Sequence, residues 1–239
     1  MTLSESGILL IDKPPKKTSF YLVHALRKIT GISKIGHTGT LDPLATGVMV
    51  MLIGRSATRL SSQMVGHDKI YETSIRLGVR TTTFDDEGVI TDRSEIVPSL
   101  SQIEDALLEF QGSTRQIPPM YSAKKVAGQK LYELARKGVE IERAPINVWM
   151  KIDLIDYQYP LLTIRIHCSS GTYIRTLADD IGTTLGCFGS VSKLCRLKSG
   201  PFSLEDCLPL DQVGKQTIVA YNQNFRSLSE IVPQSVLCT

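Results

Sequence analysis

The sequence predicts an α+β fold in which single helices flank a mixed, largely antiparallel sheet. Apolar and polar residues alternate in several segments, including Ile70 to Leu77 and Leu162 to Cys168, as strands with one buried face do. Helical periodicity occurs in isolated segments between the strands, and the regular succession of strand and helix that makes βαβ units is absent. With 239 residues, 42% of them hydrophobic, the chain can bury a substantial core.

The first predicted elements are a strand and a helix. Gly7 to Ile11 is apolar and predicts a buried strand. After a Pro-Pro break, Thr18 or Ser19 caps a helix that Gly31 ends. Four apolar residues at helical spacing form the inward side of this helix: Leu22, Val23, Leu26 and Ile29.

A glycine-rich loop with one carboxylate is the most informative segment of the chain. Residues 36–47 read GHTGTLDPLATG and have neither helical nor strand periodicity. The run from Val48 to Ile53 that follows is apolar at every position and predicts a strand covered on both faces. Asp42, the acid of the loop, therefore lies at the mouth of a strand. Residue types alone favour a tight turn in which Asp42 bonds its own backbone, and only the whole twelve-residue segment favours a functional acid.

The middle of the chain predicts a strand, a loop and a helix. Tyr71 lies on the inward face of the alternating strand. Residues 81–94 are polar and predict a loop. A capping box at Ser101 and Glu104 predicts a helix that ends at Gly112. Its inward residues are Ile103, Leu107 and Phe110.

A basic excursion is predicted between Arg115 and Arg143. A Pro-Pro pair stops regular structure, a lysine-rich turn follows, and Gln129 to Lys137 predicts a short helix that Gly138 ends. The chain then predicts two alternating strands, a helix that buries four apolar residues, and a last strand. These segments are Ile146 to Leu154, Leu162 to Cys168, the helix with Ile174, Leu177, Ile181 and Leu185, and Val191 to Leu197.

No metal ion and no cofactor are expected. The five cysteines and four histidines show no metal-binding spacing, and the glycine motifs that bind nucleotide phosphates are absent. The acidic run Asp85-Asp86-Glu87 is interpreted as a solvated loop and not as a Mg²⁺ site. Asp179 and Asp180 are interpreted as part of an exposed helix face.

Basic residues fall into three clusters, although the net charge of +3 is small. Each cluster, taken singly, is more often a solvated face than a phosphate-binding track. Convergence of the three on one ligand would make an RNA-binding surface. The clusters are Lys13, Lys16 and Lys17; Lys124, Lys125, Lys130, Arg136 and Lys137; and Lys193, Arg196 and Lys198.

Four segments, in order along the chain, resemble motifs of the TruB family of tRNA pseudouridine synthases. Residues 36–47 match the motif G-H-T-G-x-L-D-P-x-A-x-G at every fixed position. Residues 12–19 (DKPPKKTS) resemble D-K-P-x-G-x-T-S, but Lys16 stands where the family has glycine. This difference puts the backbone of the first turn in question and adds a cation that can approach phosphate. Residues 118–138, beginning PPMYSAK, and residues 168–175 (CSSGTYIR) resemble two further motifs.

The resemblance implies the pseudouridine synthase fold, with a catalytic domain at residues 1–210 and a tRNA-clamping insertion at residues 118–143. It leaves residues 211–239 as a short tail, too short for the PUA domain of many relatives. The implied reaction isomerises uridine 55 in the T-loop of tRNA to pseudouridine. It proceeds by base flipping and by Asp-dependent cleavage and re-formation of the glycosidic bond, without cofactor or guide RNA.

The resemblance also implies roles for single residues. Asp42 matches the catalytic carboxylate. Tyr71 matches the tyrosine that stacks on the flipped uracil, His37 the histidine that fills the gap left in the stack, and Arg175 the arginine that pairs with the acid. Tyr173 and Leu194 match residues that line the uracil pocket. RNA contacts are expected from the basic clusters at Lys13, Lys16, Lys124, Lys125, Lys130, Arg136 and Arg196.

Several alternatives stay open at this level. Arg175 is also placed to pair with Asp179, one helical turn further on. The protein could act as a tRNA chaperone, or as a guide-RNA-directed synthase resembling dyskerin, which shares the Asp42 motif. Attack at C1′, attack at C6 and abstraction of the 2′-hydrogen are equally compatible with the sequence. The prediction that we carry forward is a monomeric cytoplasmic enzyme that binds the T-arm and elbow of tRNA and no membrane.

Overall fold

The structure of the protein, a computed structural model, describes residues 6–126 and 128–214. The chain divides into two compact units, Met1–Gly66 with Leu197–Thr239 and His67–Arg196. Strand pairs in both units are mostly antiparallel and are accompanied by few helices, so the predicted α+β class is confirmed. Most of the predicted tail, residues 215–239, lies outside the described residues. In the described part of the chain, every helix is too short or too polar to cross a membrane.

Helices and strands alternate irregularly along the chain. The first half contains β1 (Gly7–Lys13), α1 (Ser19–Thr30), β2 (Ile35–His37), β3 (Thr46–Ile53), α2 (Gly54–Arg59), α3 (Ser61–Val65), β4 (Lys69–Leu77), β5 (Val79–Thr81), β6 (Ile90–Arg93), α4 (Leu100–Glu109) and β7 (Gly112–Gln116). The second half contains β8 (Lys125–Val126), β9 (Gln129–Lys130), α5 (Leu131–Ala135), β10 (Ile146–Gln158), β11 (Leu161–Cys168), α6 (Ile174–Thr184), β12 (Gly189–Ser199), β13 (Phe202–Ser203) and β14 (Leu208–Pro209).

The first unit is built around β3. This strand pairs antiparallel with β1 and β2, and β14 pairs parallel with β1. Seven consecutive β3 residues, 47–53, are buried, which confirms the predicted strand covered on both faces. Helix α1 has the predicted caps, because the Thr18 side chain accepts the Tyr21 amide and Gly31 has the left-handed φ of 74°. One side of this core consists of Ile8, Leu10, Val48, Val50, Leu52, Ala57, Met64 and Phe202.

The second unit contains a sheet with the strand order β12-β4-β11-β10-β7. Helices α4 and α6 contact each other, and they pack on β10 and β4 respectively. Strand β4 alternates between buried and half-buried residues, so Tyr71 is inward as predicted, opposite Ile166 of β11. Strand β12 begins in this unit, and its last three residues, 197–199, belong to the first.

Three predicted segments differ from the structure. The capping box of α4 is formed by Ser99 and Gln102, two residues before the predicted pair. Residues 81–94 are not wholly a loop, because β5 and β6 form an antiparallel hairpin there. The basic excursion contains the short β8–β9 hairpin, and its helix spans Leu131–Ala135 and not the nine residues predicted from Gln129.

Candidate active site

Asp42 lies in the loop between β2 and β3, and buried hydrogen bonds hold the residue before it. Ser19 Oγ donates to the Leu41 carbonyl (3.0 Å) and accepts from the Leu41 amide (2.9 Å). Both residues are almost fully buried, whereas Asp42 is half-buried. Since Ser19 is the first residue of α1, the helix holds the loop at the position next to its acid.

Lys13 holds the other side of the same loop. Its ammonium donates to the carbonyls of Pro14 (3.0 Å), Lys17 (2.6 Å) and Pro43 (3.0 Å). The residue has no exposed surface. The predicted RNA contact at Lys13 is therefore wrong, because a buried ammonium with its three donors bound to backbone carbonyls cannot reach a phosphate. Lys13 instead connects β1 to the residue that follows Asp42.

The loop ends at Gly47, whose amide donates to Asp12 Oδ1 (3.0 Å). Gly47 has a φ of 100°, which an L-residue with a side chain rarely adopts, so the glycine of the motif is required by the backbone. At the other end, the Thr38 amide donates to the Val50 carbonyl (3.2 Å). His37 is half-buried at the end of β2. The segment from His37 to Gly47 is thus attached at several points along its length.

Apart from Lys16, the remaining predicted site residues belong to the second unit. Tyr71 on β4 is 8% exposed, and Leu194 on β12 is 6% exposed. The two strands are neighbours, and the Thr73 hydroxyl donates to the Lys193 carbonyl (2.7 Å). An aromatic and an aliphatic side chain are therefore buried on adjacent strands.

Tyr173 and Arg175 lie at the start of α6, where Tyr173 is the N-terminal cap residue. The side chain of Gln116, which is 2% exposed, accepts the Tyr173 amide (2.8 Å) and donates to the Tyr173 carbonyl (3.0 Å). Gln116 was not identified from the sequence. Its position at the end of β7, opposite Ile146 of β10, gave no local indication of this role.

Arg175 is 4% exposed and connects three segments of the second unit. Its Nη1 donates to the Thr83 carbonyl (2.8 Å) and its Nη2 to the Tyr121 carbonyl (2.7 Å). Its Nε lies 3.5 Å from Asp85 Oδ2. Tyr121 belongs to the predicted insertion, so the path of the insertion backbone determines where one hydrogen-bond acceptor of this guanidinium lies.

Asp85 is the second residue that the sequence did not identify, since its acidic run was interpreted as a solvated loop. The residue is in fact 3% exposed. It accepts hydrogen bonds from the Thr83 hydroxyl (2.5 Å) and the Glu87 amide (3.1 Å). A buried carboxylate that faces Arg175 is stabilised by charge and by neutral donors together.

The acidic pair on α6 also differs from the prediction of an exposed face. Arg80 binds Asp179 through Nε (2.6 Å) and Nη2 (3.2 Å), so an arginine other than Arg175 holds that carboxylate. Burial, together with the charge of Asp179, raises the pKa of Asp180 to about 6. Both acids line a cavity of about 450 Å³, together with Pro118, Met120, Tyr121 and Arg143.

One cation of the last predicted cluster, Arg196, is not on the surface. Arg196 is 2% exposed, so the predicted RNA contact at Arg196 is wrong, because a guanidinium that is buried to this extent cannot reach a phosphate. Burial, reinforced by the positive charge of Arg196, lowers the pKa of Lys69 to about 8. Lys193 and Lys198 are exposed.

The cations of the insertion do lie on its surface. Lys125 and Arg136 are exposed, and Lys124 and Lys130 are half-buried. Two of them contact the ring of Tyr132, because Lys130 Nζ is 5.3 Å and the Arg136 guanidinium 5.4 Å from its centroid. The tyrosine hydroxyl accepts from Lys130 and raises the pKa of that ammonium, so the charge is secure at neutral pH.

Lys16 is exposed and has a φ of 61°. This left-handed conformation is the one in which glycine has no steric penalty and other residues do. The structure therefore explains why the resembling motif has glycine there. In the part of the chain that the structure describes, no three His, Cys, Asp or Glu side chains are grouped to hold a metal ion.

Comparisons with known proteins agree on one family. The TruB family pseudouridylate synthase N-terminal domain matches residues 27–174, and the tRNA pseudouridylate synthase B C-terminal domain matches residues 175–233. The tRNA pseudouridine synthase B of Protochlamydia amoebophila is 55% identical over 202 residues, which cover 84% of this chain and 77% of the relative. That of Chlamydia pneumoniae is 52% identical over 204 residues, or 85% and 87% of the two chains. The tRNA pseudouridine synthase B of Clostridium kluyveri is 43% identical over 216 residues, which cover 90% of this chain and 74% of the relative.

Solved structures show the same fold. A chain of a Cbf5-Nop10-Gar1 complex superposes with a TM-score of 0.70 at 25% identity, over 94% of this chain and 58% of its own length. A chain of an H/ACA RNP bound to a substrate RNA containing 2′-deoxyuridine gives a TM-score of 0.66 at 23% identity, over 94% of this chain and 57% of its own length. The present chain thus spans less than two thirds of either structure. Its family matches, and relatives that share half of its residues, establish that the chain belongs to the TruB family of pseudouridylate synthases.

Proposed function

We propose that the protein converts uridine 55 in the T-loop of tRNA to pseudouridine, alone and without a cofactor. The observation that carries the proposal is the loop from Gly36 to Gly47. It has the family motif and presents a half-buried Asp42 between two residues that Ser19 and Lys13 hold by hydrogen bonds. Relatives at 43% to 55% identity are named tRNA pseudouridine synthase B.

The reaction exchanges one bond to the ribose for another. The bond from C1′ to N1 breaks, the base turns, and a bond from C1′ to C5 forms, while C5 loses its proton and N1 gains one. Atoms and electrons balance without an oxidant or reductant. The uracil must leave its stack at a cost of a few kcal/mol, and a new stack on an aromatic ring offsets about 1 to 3 kcal/mol of this. We assign that stack to Tyr71 and the filling of the gap in the RNA to His37.

In the same proposal Asp42 is the catalytic carboxylate, and it must carry its charge to act as nucleophile or base. Arginine keeps its charge at any working pH and can bind a carboxylate through two N–H groups. We assign this pairing to Arg175, and the lining of the uracil pocket to Tyr173 and Leu194. Each of the three routes that the sequence leaves open requires Asp42 in its ionised form.

The test is Asp42→Asn, which removes the charge and keeps the shape of the side chain. We expect no tritium release from tRNA that carries 5-tritiated uridine, with the Kd for tRNA within about threefold of wild type. Asp153→Asn, on an exposed position of β10, is the matched control and should release tritium at the wild-type rate. Release by the Asp42 variant at that rate would remove this residue from the mechanism.

The proposed partner is the T-arm and elbow of tRNA, bound in part by the insertion at residues 118–143. Lys124, Lys125, Lys130 and Arg136 are the proposed phosphate contacts, which predicts affinity that falls with added salt. The protein is proposed to act as a cytoplasmic monomer, with residues 1–210 as its catalytic domain. Purified protein incubated with one tRNA transcript tests independence from a guide, and a transcript with cytidine at the target separates modification from binding.

A further inference from the structure

The charge of the chain is distributed very unevenly. The whole chain carries a net charge of +3, yet between Lys13 and His67 the sequence contains a single acid, Asp42. The same stretch contains eight Lys or Arg residues, so its net charge is +7 and the remainder of the chain is net negative. These residues are Lys13, Lys16, Lys17, Arg27, Lys28, Lys34, Arg55 and Arg59.

The outward side of α1 combines this charge with large exposed rings. Phe20 is 64% exposed and Tyr21 is 42% exposed. Residues three and four apart share one side of a helix, so His24 and Lys28 lie on the same side as the rings. Lys17 precedes the Thr18 cap and contacts the Tyr21 ring. All of these side chains are exposed. We call this surface the α1 face, made up of Lys16, Lys17, Phe20, Tyr21, His24 and Lys28.

One cation already contacts a ring there. Lys17 Nζ lies 4.7 Å from the centroid of the Tyr21 ring, within the range of a cation–π interaction. Phe20, by contrast, has most of its surface in water, on a helix whose other side buries Leu22, Val23 and Leu26. The core thus accounts for one side of α1 and leaves the aromatic pair on the other side unexplained.

We infer that the α1 face binds unpaired nucleotides of the RNA substrate, with the two rings stacking on bases and the lysines contacting phosphates. This rests on the proposed function, which supplies an RNA partner. Aromatic rings interleaved with cations are the arrangement that holds single-stranded nucleic acid, since every base has a stacking surface and every linkage a negative charge. Charge complementarity selects RNA over a protein partner, because α1 carries cations and no acid with which a mixed surface would pair.

The first test removes the ring and keeps an apolar side chain. Phe20→Leu and Tyr21→Leu should each raise the Kd for unmodified tRNA at least about fivefold, with KM rising in parallel and kcat within about twofold. Leu108→Ala, on a 68% exposed position of α4, is the matched control and should leave Kd unchanged. Wild-type Kd in both leucine variants would overturn the inference.

The second test reports stacking directly. The chain has one tryptophan, Trp149, so Trp149→Phe with Phe20→Trp leaves a single fluorophore on the α1 face. Unmodified tRNA should quench this fluorescence, whereas a fully paired RNA duplex should quench it much less. Emission that does not change while tRNA binds, or equal quenching by the duplex, would overturn base stacking. A Lys17→Gln variant should lower the slope of log Kd against log salt by about 0.7 to 0.9.

Failure of this inference and failure of the proposed function give different results. If wild type releases tritium from tRNA but the fluorescence and the leucine variants show no change, the α1 face has no part in binding and the enzyme assignment stands. If wild type releases no tritium, the proposed function fails, and quenching by tRNA then reports an RNA-binding surface on a protein of other activity.

Discussion

Replacement of Ser19 by alanine tests whether the loop that carries Asp42 depends on α1 for its position. Ser19 Oγ makes two hydrogen bonds to the backbone of Leu41, the residue before the acid. Alanine removes one oxygen and favours the helix at least as well as serine does. The substitution therefore changes the attachment of the loop and leaves α1 with its Thr18 cap.

The expected loss of stability follows from the two backbone groups of Leu41 that the substitution leaves without a hydrogen-bond partner. The amide and the carbonyl of Leu41 both lose a partner at a residue that is 3% exposed. An unsatisfied buried polar group costs about 1 to 3 kcal/mol, and relaxation of the loop recovers part of that. We expect the free energy of unfolding to fall by about 2 to 4 kcal/mol. A displacement of the acid by a fraction of an ångström should also lower kcat by about 10- to 100-fold, with a smaller change in KM.

Urea titration gives the free energy of unfolding, and tritium release at saturating tRNA gives kcat at a temperature where the variant is folded. Ser101→Ala, at an exposed position of α4, is the control and should change stability by less than about 0.5 kcal/mol. A Ser19→Ala protein with kcat within about twofold of wild type would show that the bonds to Leu41 do not position the acid.

Three further predictions concern buried or strained groups. Burial raises the pKa of Asp180 from 3.8 to about 6, so ionisation of this carboxyl destabilises the folded state. Asp180→Asn should therefore raise the free energy of unfolding at pH 8 by about 1 to 2 kcal/mol, after allowance for solvent screening. This gain should shrink as the pH falls from about 6 to about 4, and urea titrations that show a pH-independent gain would contradict it. Asp85→Asn removes the charge that faces Arg175 and should lower the free energy of unfolding by about 2 to 4 kcal/mol. Asp86→Asn breaks only an exposed ion pair and should lower it by under about 0.5 kcal/mol. Equal losses of thermal stability in the two variants would refute the buried pair. Lys16→Gly should raise the free energy of unfolding by up to about 1 kcal/mol and Lys16→Gln should not, and calorimetry that gives both variants the same Tm would exclude backbone strain at this residue.

Elements with strong local periodicity were predictable because their burial is regular. The alternation of β4 and the apolar run of β3 correspond directly to their observed burial patterns. Helix α1 has a polar cap, an apolar side and a terminal glycine, and each of these signals is a local steric or hydrogen-bonding effect. The predicted capping box of α4 was wrong because two serines, Ser99 and Ser101, lie at the start of that helix, each with a suitable acceptor three residues later. Ser99 with Gln102 is the pair that the backbone uses.

The buried charged residues were not predictable from local pattern. Lys13, Arg196 and Asp85 each stand in a polar or basic stretch, and charge alone predicts exposure. What reverses that expectation is a partner far along the chain, such as the Pro43 carbonyl for Lys13 or Arg175 for Asp85. Sequence resemblance identified the motifs that contain Lys13 and Arg175, but only coordinates show that their polar groups bind backbone carbonyls.

The hydrogen bond from Arg175 to the Tyr121 carbonyl limits changes in the backbone path of the insertion more than it limits changes in side chain. A main-chain oxygen is common to all twenty amino acids, so the insertion can drift in side-chain identity at position 121 without losing that acceptor. A deletion or a graft that re-routes the chain there would withdraw the oxygen, whatever residues it brought. Loop exchange between relatives should therefore succeed only where the incoming segment preserves length and path up to Ser122.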